Sequence, residues 1–412
     1  MKKIILSAVA VMSIAGAVQA AQTINDSLKT GKFTVDSRVF YFDRSFSDQH
    51  LTGTSKDNAT ALTAGGIMKY VSDDYKGLKA GIAYYGSHSL GFYSREEGVG
   101  TSILERNTGE DLAFLGEAYL EYSISKTMFK FGRQRLSTPL MNDHDLRLLP
   151  SAYEAYIVKN TDLPDTTVEA GFVRRYTGFT SKDNNFLDNK SKWGDDGLAY
   201  IYLTNKSIEN LSLTAQYIGT ISDTYTDAGV TNDISVADYR YADFAYNLVA
   251  VGTNTYLKAQ YGGNDYKTGN NSMMYGTKIG TTIGMFDLAL LYNKISDNNF
   301  KAVEAGPMYS DWQQGYSNYG PSTAFGGQVT IKPMDGLSIK LGYVDVSADE
   351  NEVKDDYSEF NLDANYAIND ISKLRVRYSI KNESSAAEET AVAGTYPYVD
   401  QNDFRIIYYL SF

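Results

Sequence analysis

Phe404-Arg405-Ile406-Ile407-Tyr408-Tyr409-Leu410-Ser411-Phe412 ends the chain, and the way its side chains alternate decides the fold. Successive side chains of a strand point to opposite faces. Phe404, Ile406, Tyr408, Leu410 and Phe412 therefore share one oily face, while Asp403, Arg405 and Ser411 lie on the other. Such a face suits lipid outside a closed barrel whose inside is wet. The last strand of a soluble sandwich alternates in the same way, so this segment alone leaves both open.

The other end of the chain narrows the choice. Lys2 and Lys3 precede an apolar run from Ile4 to Ile14, and small residues lead to Val18-Gln19-Ala20. This is the pattern of a cleaved export signal over residues 1–20, followed by one β-barrel domain over 21–412. The run is too short to span a bilayer, and no other stretch approaches the roughly 20 apolar residues that a membrane helix needs. Only a barrel is left for spanning. With no Cys, the exported chain must hold together by hydrogen bonding and packing. The 34 Tyr against 2 Trp fit a need for amphipathic rings at two membrane interfaces and along a lumen, although a tyrosine-rich soluble lectin would share that composition.

The formal net charge is -12, and nucleic acid is excluded as a partner on that ground. Outer membrane lipid and lipopolysaccharide are the expected surroundings. Solvated acidic loops explain the charge more simply than divalent cations bridging to lipid phosphates.

From Gly31 onward alternating segments recur, and the breaks between them are short and long in turn. Short ones fall at Ser72 to Gly77, Ser125-Lys126, Thr161 to Asp165, Ser207 to Asn210, Gly284-Met285, Pro333 to Gly336 and Ile368 to Ile371, with another near Asn247. Long polar stretches lie between them, among them His88 to Asp111, Leu136 to Leu149 and Ser296 to Pro321. A meandering membrane barrel sorts its connections by parity, with tight turns on the periplasmic side and long loops outside. A soluble sandwich has no reason to. The fold class is therefore all-β, a transmembrane antiparallel up-and-down barrel of about eighteen strands, with sixteen the nearest rival.

An ionised side chain aimed at hydrocarbon costs several kcal/mol, so strand charges are assigned to the lumen. On Leu374 to Lys381 this puts Arg375, Arg377 and Lys381 inside, joined by Arg405 on the last strand and Arg38 on the first. A basic ladder results. Lys130, Lys258, Lys278 and Lys340 face the same way. Glu117, Glu121, Glu359 and Asp363 are expected to form a separate acidic sector, so that opposed walls set up a transverse field that orients a dipolar solute. Each of these charges could equally pair with a neighbour to stabilise a wet interior.

The stretch from Arg133 to Pro150 is unusual among the long connections. It carries Leu140, Leu146, Leu148 and Leu149 with two prolines, which predicts a loop packed back into the barrel, with Asp145 or Arg147 presented to solute. Packing against the outer rim is the plain alternative. Here the sequence resembles the OprD-type outer membrane porins, whose members commonly show Arg-Leu-Leu-Pro-Ser followed by an aromatic, in this chain Arg147 to Tyr153. The resemblance implies an eighteen-stranded barrel, an inward-folded third loop, a basic ladder and uptake of small, often carboxylate-bearing solutes. Carried onto this chain, the ladder is Arg38, Arg375, Arg377 and Arg405, with Arg133 and Arg147 near the constriction. The inward Glu117, Glu121 and Asp363 depart from simple anion selectivity.

His50, His88 and His144 all fall in long connections without zinc-ligand spacing, and no nucleophile stands on a scaffold that would activate it. No cofactor, metal or enzymatic activity is expected. The sequence thus predicts a passive diffusion channel of a Gram-negative outer membrane for small hydrophilic solutes, as a monomer or a trimer. A structural or adhesive barrel with little transport is the alternative.

Overall fold

The computed structural model of the chain describes residues 21–47, 58–91, 100–105, 108–143, 146–178, 193–227, 230–250, 253–304, 306–312, 320–348, 356–383 and 400–412. The expected signal segment 1–20 and the residues His50, His144 and Asp145 lie outside these.

A short helix α1 (Ile24–Thr30) is capped by Thr23, whose side-chain oxygen accepts from the Asp26 N–H at 3.1 Å. The rest is strand: β1 (Lys32–Ser47), β2 (Ala59–Val71), β3 (Leu78–Ser89), β4 (Leu112–Ile124), β5 (Thr127–Gln134), β6 (Ala152–Asn160), β7 (Thr166–Thr177), β8 (Leu198–Asn205) and β9 (Leu211–Thr220). A small hairpin, β10 (Thr224–Asp227) and β11 (Val230–Asp233), interrupts the meander. It resumes with β12 (Val236–Ala250), β13 (Thr253–Tyr266), β14 (Ser272–Ile283), β15 (Phe286–Asp297), β16 (Ser322–Met334), β17 (Leu337–Ala348), β18 (Tyr357–Ala367), β19 (Ser372–Glu383) and β20 (Asp400–Ser411).

All strands but β10 and β11 form one 18-stranded sheet in which each is antiparallel to its neighbours along the chain. β1 also pairs with β20, placing Arg38 opposite Tyr409 and Arg44 opposite Asp403. The sheet therefore closes on itself and has no free edge, the condition for spanning lipid with strands. Eighteen strands, rather than sixteen, is the count.

The parity of the connections holds around the ring except between β13 and β14, where the connection on the long-loop side is only five residues, 267–271. Turns at one end run from two to six residues, and those at Ser125-Lys126 and Gly284-Met285 fall where the sequence places them. Ser125 at φ 53° and Gly284 at φ 58° supply the left-handed backbone that two-residue hairpins require. One expectation is corrected. No break falls near Asn247, because Asn247 stays in the ladder opposite Tyr256 and its N–H donates to the Asn210 carbonyl at 2.9 Å, and β12 runs on to Ala250.

The two faces of the wall differ as lipid and water demand. Leu290, Phe325 and Ile279 point out, 67%, 63% and 51% exposed. Lys381, Arg405 and Glu117 alternate with outward neighbours and are buried within the barrel. A bulge at Ala83/Tyr84 shifts the phase of β4, so that Leu112, Phe114, Tyr119 and Glu121 all face in despite the change of parity between them.

Candidate functional site: a constricted bore with an arginine wall

The connection from β5 to β6 enters the barrel. Leu136, Leu140, Met141, Leu148 and Leu149 are all buried, packed against inward residues of the wall such as Tyr153, Val173, Ile218 and Phe40. Two tethers fix it on opposite sides. The Leu140 N–H donates to Gln216 Oε1 on β9 at 2.9 Å, and Gln216 Nε2 donates to Thr138 Oγ1 at 2.8 Å. At the other end, Arg38 Nη1 on β1 donates to the Arg147 carbonyl at 2.7 Å. Since β9 and β1 stand nearly half a ring apart, the loop crosses the bore. Within the loop Arg135 holds Asp143, with Nε to Oδ2 at 3.0 Å, and the Tyr153 hydroxyl donates to the Asn142 carbonyl at 2.8 Å.

A second loop, which the sequence reading leaves as an external one, reinforces the first. In the β15–β16 connection the N–H groups of Val303 and Glu304 donate to the Leu140 carbonyl at 3.0 and 3.2 Å, and Met141 and Glu304 form a parallel bridge. Asn264 on β13 anchors it by donating to the Lys301 carbonyl at 3.0 Å and accepting from the Lys301 N–H at 2.7 Å. Trp312 covers Gly342 so closely that a Cβ there would stand 2.5 Å from the indole ring. The signal lies in Phe300, Val303, Met308 and Trp312, which are spread too thinly among polar residues to mark an inward loop.

Beside the tether on β1 lies the basic wall. Arg377 on β19 and Arg405 on β20 are register partners, and both are buried. Arg405 donates to Asp403 at 2.6 Å, and Arg44 grips the same carboxylate with two bonds of 2.7 and 2.8 Å. The guanidiniums of Arg405, Arg44 and Arg147 surround the Phe42 ring at 4.5, 5.2 and 5.2 Å from its centroid. Arg38 lies 5.0 Å over Tyr409, and Lys381 5.0 Å over Tyr357. Burial drives the Arg147 guanidinium well below its ordinary pKa, with Arg405 and Arg44 pushing the same way. Nη1 of Arg377 and both Nε and Nη1 of Arg405 are buried with no hydrogen-bond partner in the protein. Sequence reasoning did not single out Arg44, Asp403 and Phe42 as site residues. The signal was present, since Arg38, Phe40, Phe42 and Arg44 keep one parity along β1.

The expected separate acidic sector is corrected. Asp363 sits opposite Arg377 in the β18–β19 register and binds Arg375, with Nε at 2.8 Å, while Arg377 Nε lies 3.5 Å away. Glu359 stands opposite Lys381. Glu117 is held by Lys69 at 2.7 Å and by the Tyr85 hydroxyl at 3.2 Å, and Glu121 lies 3.9 Å from Lys130. The carboxylates are thus interleaved with cations on adjacent strands, because an isolated charge on a partly dehydrated wall costs more than a paired one.

Arg133 is also corrected. Counted from the inward Lys130 and the fully buried Gln134, it falls on the outer face with Phe131 and reaches Glu154 at 3.8 Å. Parity places it outside the bore. Lys258, Lys278 and Lys340 extend the inward basic set to β13, β14 and β17, with Lys258 and Lys278 register partners and Lys278 donating to Gln328 Oε1 at 3.0 Å. Among the described residues no group of acidic and imidazole side chains is arranged to hold a metal ion.

The chain is similar to known proteins in two ways. Residues 25–320 match the family model for the outer membrane porin, OprD family. Among solved structures from Pseudomonas aeruginosa, OccK9 (OpdG) aligns at 15% identity over 93% of this chain and 99% of that one, with a TM-score of 0.77. OpdK with vanillate aligns at 14% over 93% and 99% with a TM-score of 0.76, and OpdQ at 16% over 94% and 99% with 0.73. Likeness at such identity shows the fold. No curated protein sequence matches.

Proposed function

The chain belongs to the OprD family of outer membrane porins, and from that premise we propose that its bore selects small carboxylate-bearing and zwitterionic solutes along the arginine wall. That it is an outer membrane channel follows from the family and the closed barrel. The family is one of channels rather than enzymes.

One observation carries the choice of solute. Arg377 and Arg405 present buried N–H groups without protein partners on the wall beside the loop that crosses the bore. Guanidinium forks match the geometry of a carboxylate, so an anion reaching this level exchanges water for directed hydrogen bonds. Phe42, fully buried among three guanidiniums, holds them in place on the wall.

Asp403 and Asp363 keep this wall from being uniformly positive. A solute must leave as well as enter, and interleaved carboxylates moderate its affinity. They also offer a partner to the ammonium of a zwitterion. On this reading Arg38, Arg147, Arg375, Arg377, Lys381 and Arg405 guide the anionic end, and Glu359 and Asp363 set how tightly it is held. Glu117 and Glu121, held by Lys69 and Lys130, serve the wall more than the solute.

Liposome swelling tests the proposal, with amino acids, aromatic carboxylates including vanillate, and neutral sugars of matched size. Carboxylates and zwitterions entering faster than sugars, with the difference abolished by Arg405→Gln, is the expected result. Equal rates for all classes would reject the solute assignment and leave only a sieve.

A further inference from the structure

The outer wall carries an open groove across β14 to β18. Ile279, Leu290, Gly327, Tyr343 and Phe360 form a continuous row of register partners across β14 to β18, all on the lipid-facing parity. Four of them are large and exposed, Leu290 at 67%. The fifth has no side chain. A groove of about 970 Å³ opens there, with Thr281, Leu288, Val329 and Leu341 along its lower part.

Packing does not demand that glycine. A Cβ at Gly327 would meet nothing nearer than 3.8 Å, and its φ is not in the left-handed region. Elsewhere a wall glycine is forced, as at Gly116, where a Cβ would stand 2.4 Å from the Tyr85 ring. The bare backbone at Gly327 therefore leaves room for something outside the chain. Beside the groove Thr255 and Thr281 face each other and satisfy one another, their hydroxyls hydrogen-bonding at 3.1 Å. What remains is an apolar slot.

Its depth identifies the leaflet. Leu290 follows the Gly284-Met285 turn by five residues, about 17 Å along a strand tilted by about 45°, or about 12 Å in height within a core about 30 Å thick. Short turns mark the periplasmic side, so the groove faces the periplasmic half of the membrane, where phospholipid rather than lipopolysaccharide is the neighbour.

We propose that the groove over Gly327 is a binding site for one acyl chain of a periplasmic-leaflet phospholipid, seated between Leu290 and Tyr343. The groove is continuous with the lipid-facing belt on both sides, so acyl chains already surround it. A chain lying in the slot gains contact on three sides, where a chain on the convex wall gains it on one.

Native mass spectrometry of the protein extracted in mild detergent is the test. One retained phospholipid per barrel is expected, and Gly327→Leu, which fills the slot with a side chain the backbone accepts, should reduce retention about tenfold without changing conductance. Equal retention by the variant, or a retained lipopolysaccharide in place of phospholipid, would overturn the proposal. So would a multimer that Gly327→Leu dissociates, since the groove would then be a contact between copies. Should the variant not insert, photolabelling of the wild-type protein by a phospholipid with a diazirine in its acyl chain decides. Label concentrated on the strands of Leu290 and Tyr343 supports the site, and label spread evenly round the belt rejects it.

Discussion

Arg377 and Arg405 face each other across the β19–β20 ladder, two like charges on adjacent strands with Asp363 and Asp403 to either side. Like charges placed so cost the sheet stability. Their retention therefore has to be read against transport. Replacing Arg405 with Gln removes that repulsion but also one of the two guanidiniums on the buried Asp403, so stability should change by no more than about 1 kcal/mol, while anion preference falls. Heat-modified mobility on gels reads the first and reversal potentials across a salt gradient the second. A loss of stability with unchanged selectivity would make the pair purely structural.

Asp363 gives the complementary case. It neutralises Arg375 and part of Arg377, so Asp363→Asn should free both guanidiniums and move selectivity toward anions. Carboxylates should then bind more tightly and leave more slowly, seen as longer blockades of single-channel current.

The bond from Arg38 to the Arg147 carbonyl ties the inward loop to β1, and the Gln216 bonds tie it to β9. A charge-assisted bond of this kind contributes about 1.5–3 kcal/mol. Arg38→Ala should release one end of the loop, raising conductance and current noise, and Gln216→Leu should release the other. Variants with wild-type conductance would show that the buried leucines hold the loop unaided.

Much of this architecture is legible in the sequence. Alternation and the parity of connection lengths give the closed barrel, because lipid and water impose a period of two that loops cannot imitate. The Asp363–Arg377 contact was also within reach. Both residues have the inward parity, and the turn at 368–371 brings Asp363, four residues before the end of β18, level with Arg377, five after the start of β19. Arg133 shows the opposite case. The resemblance drew it toward the constriction, although its own parity with Phe131 puts it outside. What no pattern of strands could supply is the meeting of Arg38 with Arg147, or of Leu140 with Val303. Those contacts depend on where a loop settles inside a ring, and ring geometry is written in no single segment.

Glu117 lies 2% exposed between Lys69 and the Tyr85 hydroxyl. Glu117→Gln would leave Lys69 facing Lys130 across Tyr119, whose ring both ammoniums approach at 5.5 and 3.8 Å. A loss of about 1–3 kcal/mol is expected, seen as a lower temperature for the mobility shift on gels. Adding Lys69→Met should recover part of it, because the second substitution removes the charge the first exposed.

Trp312 offers an optical report on the second loop. The chain has 2 Trp, and the other, Trp193, is fully buried in the β7–β8 connection, in the cluster that also holds Leu140 and Val303. Trp312 rests where Gly342 has no side chain, with its indole N–H donating to the Tyr309 carbonyl at 3.0 Å. Gly342→Val places two methyl groups where the ring now lies, so Trp312 must move into the bore and its water. Emission should shift to the red, and acrylamide should quench it more strongly, while the barrel keeps its gel mobility. Since Val303 and Glu304 of the same loop hold the Leu140 carbonyl, conductance should change in step with the emission. A red shift without a conductance change would confine the loop's role to covering the wall, and leave the first loop as the whole constriction.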